Sequence, residues 1–188
     1  MPNDVTKQPL WIQSGDPETE NLKPADDLQP GAIGAHITLQ SPGPGGVPQS
    51  GSTDYFDKTY QKVEVDSALG AGPNPYNGCL SYWTDEATYR VTTDVTGRRG
   101  LYAGVLRTAV VPGYRCFIQQ RGPGMVKFVD VPTAEPTAAG LIVIPSATAG
   151  KADCLAAGTA ATYPSLGASR GVANLAREGI VNLGSYIP

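Results

Sequence analysis

The chain has 188 residues, of which 40% are hydrophobic and only 16% are charged, and this length suits one core-bearing domain with an extended tail. Fourteen Lys and Arg against 17 Asp and Glu leave a formal net charge of −3, which does not indicate nucleic acid or an anionic membrane as partner. The 23 Gly and 17 Pro predict many short strands joined by turns.

Residues 1–30 are predicted to form an extended N-terminal arm. This segment is rich in Pro, Asp, Glu and Asn, and its one apolar island consists of Leu10, Trp11 and Ile12. Burying a large apolar side chain contributes about 1.5–3 kcal/mol, whereas ordering backbone costs about 1–2 kcal/mol per residue. Three such side chains cannot order the arm alone, so we expect the island to dock on this domain or on a neighbouring subunit. The alternative is a first strand of the domain itself.

The chain start has no basic and apolar regions of the kind that form a signal peptide, and no apolar run is long enough to span a membrane. We therefore expect synthesis in the cytoplasm and no membrane partner.

Residues 31–188 are predicted to form a single β-rich domain. Apolar and polar residues alternate with a period of two at 33–39 and again at 59–66, which indicates half-buried strands. Between these strands, the Gly- and Pro-rich residues 41–54 are predicted to form a surface loop. Residues 79–95 fit two strands joined by a turn at Thr84, Asp85 and Glu86.

The sequence LYAGVLRTAVVPGYRCFIQQRGPGMVKFV, at 101–129, contains three apolar runs separated by VPG and GPG. We interpret it as an antiparallel meander of three strands with two tight turns. The continuously apolar LIVIP that follows is typical of a central strand covered on both faces. Residues 150–164 are compatible with a short helix or with irregular structure. The C-terminal residues 170–188 are predicted to form a last strand pair.

These patterns predict an all-β fold, either an antiparallel β-sandwich or a small β-barrel with an extended N-terminal arm.

One sequence motif suggests catalysis but lacks the context that the chemistry needs. GASRG at 167–171 matches G-x-S-x-G and would make Ser169 a nucleophile. That motif requires a strand before the serine, a helix after it and a histidine downstream, whereas the one histidine, His36, lies far upstream. We therefore expect no serine hydrolysis and predict that His36 lies on a strand surface.

No cofactor and no metal are expected. A zinc site needs three or four ligands at suitable spacing, and the sequence offers no local pair of His or Cys ligands. The cysteines are predicted to be buried free thiols, and the adjacent carboxylates to be solvated loop charges whose side chains point in opposite directions. The residues concerned are Cys79, Cys116, Cys154, Asp26, Asp27, Asp85 and Glu86.

The sequence GRRG at 97–100 places Arg98 and Arg99 in a predicted turn. Two adjacent arginines can bridge to an acidic surface of another subunit, and we mark them as candidate interface residues with Leu10, Trp11 and Ile12. A solvated turn is the alternative interpretation.

The stretch AGVLRTAVVPGYRCFIQQRGPGMVKF resembles a pattern in head proteins of tailed bacteriophages. The pattern consists of a strand with AGV, a PG turn, an aromatic Y-x-x-F-I-Q strand and then G-x-x-x-V-K-F. YQKVEVDS and LSYWTDEATYRVTTDV precede it in the same order, so that the resemblance covers about residues 55–130. The arm and the C-terminal third lie outside it.

The resemblance implies a capsid decoration, or cement, protein: a β-rich, non-enzymatic subunit on the capsid exterior that binds the major capsid protein, commonly as a trimer or dimer. One alternative is a receptor- or glycan-binding virion module, because several aromatic residues lie close together in sequence. The other is a small glycan hydrolase that uses two carboxylates. The aromatic residues are Tyr55, Tyr60, Tyr76, Tyr82 and Trp83.

Overall fold

The computed structural model describes residues 21–22, 33–39, 58–66, 77–130, 136–156, 158–174 and 176–184. Within these ranges the chain forms strands and turns and no helix. The strands are β1 (Asn21–Leu22), β2 (His36–Leu39), β3 (Lys58–Val65), β4 (Leu80–Asp85), β5 (Arg90–Thr92), β6 (Tyr102–Leu106), β7 (Arg115–Lys127), β8 (Ile142–Pro145), β9 (Ala152–Cys154), β10 (Gly167–Ser169) and β11 (Glu178–Leu183). The prediction of an all-β fold is confirmed.

Five strands close into a barrel in the order β3, β5, β4, β6 and β7, because β7 also pairs with β3. Four of the five pairings are antiparallel, and the β3–β5 pairing is parallel. The strand pair predicted for residues 79–95 is confirmed as β4 and β5. β2 and β1 add to the outside of this ring, β2 on β3 and β1 on β7.

The long strand β7 leaves the barrel and continues into a second sheet. Its first part pairs with β3 and β6, whereas Gly122 to Lys127 pair with β11. The second sheet has the strand order β7, β11, β10, β8, β9. Its last strand, β9, is linked to the residue just after β7 by a parallel bridge between Ala152 and Phe128. Both sheets are therefore built on the same strand.

The prediction of a second turn at GPG, residues 122–124, is wrong. These residues lie inside β7 at the point where the strand changes sheet, and Gly122 has a φ of 85°. Strands that pass from one sheet to another need such an irregular corner. The buried Gln119 amide supports this corner, since its Nε2 donates to the carbonyl oxygens of Arg121 and Pro123 at 3.0 Å each.

Two apolar cores result from this arrangement. The barrel interior is filled by side chains of the five ring strands, such as Val63, Val91 and Ile118. The second core lies between the barrel strands β4 and β6 and the second sheet, where Leu80 and Tyr82 pack with side chains such as Val143. One barrel wall is thus covered on both faces, which joins the two sheets into one packed unit.

Several local predictions can be compared directly with the strands. The strand pair predicted within residues 170–188 is correct only in part: the described residues of this segment form one strand, β11, and its partners β10 and β7 lie before the segment. The apolar LIVIP lies largely in β8, an inner strand between β10 and β9. The undecided segment 150–164 forms β9 and, over the residues described after it, irregular structure. β1 lies inside the segment predicted to be an arm.

Gly104 in β6 permits the close approach of β6 and β7. A Cβ at this position would lie 2.9 Å from the carbonyl oxygen of Gln119 and 3.1 Å from the Ile118 Cβ. The Gln119 oxygen belongs to the backbone of β7, which is paired on both sides. It therefore cannot move away as the end of a flexible side chain could.

We predict that Gly104→Ala lowers the free energy of unfolding by about 1–3 kcal/mol because it forces β6 and β7 apart. Urea denaturation monitored by tryptophan fluorescence measures the change. Gly100→Ala is the matched control, since a Cβ there meets nothing within 4 Å and its effect should stay within about 0.5 kcal/mol. Equal stability of the two variants would show that the close approach of β6 and β7 does not depend on Gly104.

Candidate interaction surface

Ser169 has a structural role in the turn before β8. Its Oγ donates to the carbonyl oxygen of Ala138 at 2.8 Å and accepts from the amide of Leu141 at 3.0 Å, and the residue is buried. It lies in β10, with an irregular segment after it rather than a helix. The arrangement therefore lacks the exposed strand-to-helix turn that a nucleophilic serine requires. His36 is exposed on β2, as predicted.

Most described carboxylates hold local structure together. Asp85 accepts from the Thr88 hydroxyl, which holds the pKa of Asp85 below its usual range. The pKa of Glu178 is lowered by Lys127, whose Nζ lies 2.7 Å away, and that of Asp130 by Lys151. A glycosidase acid needs the opposite shift, a raised pKa.

Asp153 is the described carboxyl whose pKa is raised, and burial is the main cause. The Arg99 charge acts against this shift. Hydrolysis of a glycoside requires a second carboxylate across a cleft from such an acid. Among the described residues, the charged side chain that acts on the pKa of Asp153 is Arg99 and not a second carboxylate. The structure thus offers no specific support for the hydrolase alternative.

The three cysteines are buried free thiols, as predicted. Burial raises the pKa of Cys154 to about 12, with a further contribution from Asp153. A thiol with such a raised pKa carries very little of the thiolate that reacts or binds metals. Over the ranges that the structure describes, no group of three or more His, Cys, Asp and Glu residues is placed to hold a metal ion. No helix in those ranges is long and apolar enough to cross a membrane.

The two candidate interface arginines make different contacts. Arg98 pairs with Asp94 at 3.0 Å in a half-exposed ion pair four residues apart. Arg99 donates from Nε and Nη2 to the carbonyl oxygen of Pro145 at 3.2 and 2.8 Å, and its guanidinium lies 4.0 Å from the centroid of the Tyr163 ring. Arg99 therefore connects the β5–β6 turn with the second sheet.

The prediction of an interface role concerns contacts with other chains, and it stays a prediction for both arginines. What the sequence did not reveal is the intramolecular contact of Arg99, because Pro145 and Tyr163 are distant in sequence and neither carries a recognisable signal. Leu10, Trp11 and Ile12 lie outside the described residues. The described residue nearest to them along the chain is Asn21 in β1, which pairs with Cys116 of β7.

The described members of this aromatic group, Tyr60, Tyr82 and Trp83, do not form an exposed platform. Tyr60 and Tyr82 are fully buried, and Tyr55 and Tyr76 lie outside the described residues. Trp83 is partly exposed and packs against the barrel core. Its ring meets Tyr89 edge to face, with centroids 6.5 Å apart. Tyr60 and Tyr82 thus have the core role that was predicted for most of these aromatic residues.

Two tyrosine hydroxyls between the two sheets are buried and have no hydrogen-bond partner among the residues that the structure describes. This applies to Tyr82 and Tyr102. Burial raises the pKa of Tyr82 well above its ordinary value of 10, and Arg99 opposes that shift in part. The pKa of Tyr102 is raised by burial and by the neighbouring Tyr82. The folded state thus strongly favours the neutral form of both phenols.

No protein-family model matches this sequence, and searches of the curated proteins and of the solved structures also found no match.

We predict that Arg99→Ala lowers the free energy of unfolding by about 1.5–3 kcal/mol, since it removes charged hydrogen bonds and the contact with the Tyr163 ring. Arg98→Ala is the matched control, with an expected loss of about 0–1 kcal/mol for a half-exposed ion pair. Urea denaturation of both variants checks the difference. If Arg98→Ala proves as destabilising as Arg99→Ala, the connecting role of Arg99 is refuted.

We also predict a loss of stability in alkali. Tyrosines of the unfolded chain lose protons near pH 10, whereas the buried phenols stay neutral, so the free energy of unfolding falls as pH rises above this value. Tyr82→Phe should make this decline shallower and should leave stability at neutral pH equal or higher, because the hydroxyl has no partner. Denaturation curves across this pH range test both statements, and a decline as steep as in the parent protein would disprove the first.

Proposed function

We propose that this chain is a non-enzymatic virion structural protein on the capsid exterior. It binds the outer surface of an assembled phage head and stabilises contacts between subunits of the major capsid protein. The observation that carries the proposal is the anchoring of the N-terminal segment on β7, the strand common to both sheets. A terminal segment fixed to a rigid double sheet suits a protein whose function is adhesion.

The residues that carry the resemblance to phage head proteins surround one structural feature. Ala103 to Val105 lie in β6, Pro112 and Gly113 lie in the turn after it, and Phe117 to Gln119 lie in β7. The last part of the pattern, Val126 to Phe128, continues β7 into the second sheet. The resemblance therefore concerns the β6–β7 hairpin and the corner, which supports a common architecture more than a common surface.

The N-terminal arm provides the proposed contact with the capsid. Residue 12 lies nine residues before β1, and an extended chain spans about 3.3–3.6 Å per residue. Leu10, Trp11 and Ile12 can thus reach about 30 Å from the anchor on β7, which is enough to lie on a neighbouring subunit. An extended segment of this kind can add a strand to an exposed sheet edge and insert its apolar side chains into pockets.

Stabilisation of the shell follows from mass action. A protein that binds the closed lattice and not its separated parts shifts the equilibrium towards the closed lattice. A homo-oligomer, as a dimer or trimer, would contact several capsid subunits at once, and such multivalency raises avidity by about 10²–10⁴ without new contacts. Arg98, which is half-exposed beside Asp94, is a candidate for the rim of these contacts.

We predict that deletion of residues 1–20 weakens binding to heads that lack this protein while the two sheets stay folded. The deletion ends before Asn21 because β1 pairs with β7 and belongs to the sheet. Replacement of Leu10, Trp11 and Ile12 by alanine should reproduce most of the loss, at least about tenfold in affinity, since large apolar anchors dominate most interfaces. Co-sedimentation with purified heads measures the affinity.

A triple alanine variant at Asn3, Asp4 and Thr6 provides the matched control, because it changes the same number of residues in the same segment without removing apolar surface. Its affinity should equal that of the parent protein. Unchanged binding after the deletion would exclude the arm as the capsid contact, and a protein that ignores heads altogether would exclude the proposed function.

A further inference from the structure

A lysine, a glutamate and an asparagine meet where β7 pairs with β11. Lys127 lies directly opposite Glu178 in the antiparallel register of these strands, so their side chains project on the same face of the sheet. The Nζ of Lys127 lies 2.7 Å from Oε1 of Glu178. The other carboxylate oxygen, Oε2, accepts a hydrogen bond from Nδ2 of Asn174 at 3.2 Å. One carboxylate therefore contacts both an amine and a side-chain amide.

The turn before β11 holds the side-chain amide of Asn174 in one orientation. Its Oδ1 accepts hydrogen bonds from the backbone amides of Ala176 at 2.9 Å and of Glu178 at 3.0 Å. Only this orientation pairs a donor with an acceptor at all three contacts of the amide. The backbone of Asn174 is tied to the same strand, since its amide donates to the carbonyl oxygen of Glu178 at 2.8 Å. The amide nitrogen thus faces the carboxylate, and the amide oxygen faces two backbone donors.

The ion pair of Lys127 with Glu178 is more enclosed than that of Lys151 with Asp130. The side chains of Lys127 and Glu178 are 23% and 22% exposed, whereas that of Asp130 is 73% exposed. The pKa of Asp130 is lowered by Lys151, and the pKa of Glu178 is lowered by Lys127 and also by the amide of Asn174. Polar contacts withdrawn from water are stronger than exposed ones. The carboxylate of Glu178 is therefore held between two groups that can react with each other.

These three side chains have the roles that transfer of an amide requires. A lysine amine is a nucleophile once an adjacent general base has taken its proton. Glu178 contacts both the amine of Lys127 and the amide nitrogen of Asn174, so it can carry a proton from the first to the second. The two backbone N–H groups on Oδ1 are placed to stabilise the negative charge that develops on this oxygen in a tetrahedral intermediate.

We propose that Lys127 and Asn174 become joined by an intramolecular isopeptide bond, which the folded chain forms by itself with Glu178 as the proton carrier. The Nζ of Lys127 attacks Cγ of Asn174, the Nζ–Cγ bond forms and the Cγ–Nδ2 bond breaks. The two protons that the lysine ammonium gives up leave with Nδ2 as one ammonium ion. The step is a substitution at an amide, so it consumes no oxidant or reductant. This inference goes beyond the proposed function and does not depend on it.

A slow reaction is sufficient, because the bond forms only once in each chain. The shared carboxylate holds amine and amide close together, and fixed proximity of two reacting groups is equivalent to a reactant concentration of about 10⁵–10⁸ M in favourable cases. Asn174 is exposed, so the released ammonia can leave to solvent. Its loss makes the bond effectively irreversible.

The bond would fasten the second sheet to the strand that both sheets share. Lys127 is the last residue of β7, and Asn174 lies in the turn before β11. The closed loop therefore comprises residues 127–174 and contains β8, β9 and β10. A cross-link of this kind restricts the unfolded chain and thereby stabilises the folded state, as a disulfide does. Unlike a disulfide, an amide bond persists under reducing conditions.

Intact-mass spectrometry of the purified full chain, kept for several days at neutral pH, tests the proposal. We expect most of the protein to be lighter than its sequence by one ammonia. A tryptic digest should then contain one branched peptide that joins the segments around Lys127 and Asn174, without cleavage after Lys127. The unchanged sequence mass would overturn the proposal. Loss of ammonia without the branched peptide would also overturn it, because a succinimide at an asparagine has the same mass.

Two variants should keep the full mass of their own sequences. Glu178→Gln still contacts the amide but cannot carry the proton, and Lys127→Arg keeps the positive charge but lacks the amine. Lys151→Arg is the matched control, because it changes the ion pair with Asp130 and should still lose ammonia and give the branched peptide. Circular dichroism checks that each variant is folded. A branched peptide formed in Glu178→Gln as fast as in the parent protein would refute the role of Glu178.

Discussion

Strand β7 is the constraint on which the rest of the structure depends. One face of its first half belongs to the barrel core, and its second half pairs with β11 in the other sheet. Because a single strand serves both sheets, neither can shift against the other without breaking backbone hydrogen bonds. The second core, between one barrel wall and the other sheet, adds apolar burial to the same joint. The result is a rigid unit, which is the property that an adhesive module needs.

Much of the fold could be predicted from local sequence. The alternation around Val63 and Val65 defined β3, and the same pattern located β2, because a period of two reflects strand geometry directly. GPG could not be interpreted correctly in this way. Gly and Pro occur both in turns and at strand corners. Only the pairing of Gly122 to Lys127 with β11, far along the chain, shows that GPG forms a corner and not a turn.

The contacts of the candidate site residues were also predictable only in part from the sequence. The sequence placed Arg98 and Arg99 together in a turn. It did not show that Arg99 contacts the Tyr163 ring and the Pro145 carbonyl, because only the tertiary fold brings these distant residues together. The period of two predicted at 59–66 places Lys62 on the opposite side of β3 from Val63, in agreement with the structure. The alternation did not predict that Lys62 is only 2% exposed, because burial of a side chain depends on the tertiary fold and not on local periodicity.

The proposed adhesive function rests on three observations: two sheets built on one strand, carboxylates and thiols engaged in local structure, and an N-terminal segment that pairs with that strand. Copies of a protein that bind a closed symmetric shell repeat with the symmetry of that shell. Electron cryomicroscopy of heads with and without the protein tests this claim most directly. The account predicts added density at regular positions on the outer surface, in contact with at least two capsid subunits. Heads that look identical in both samples would contradict it.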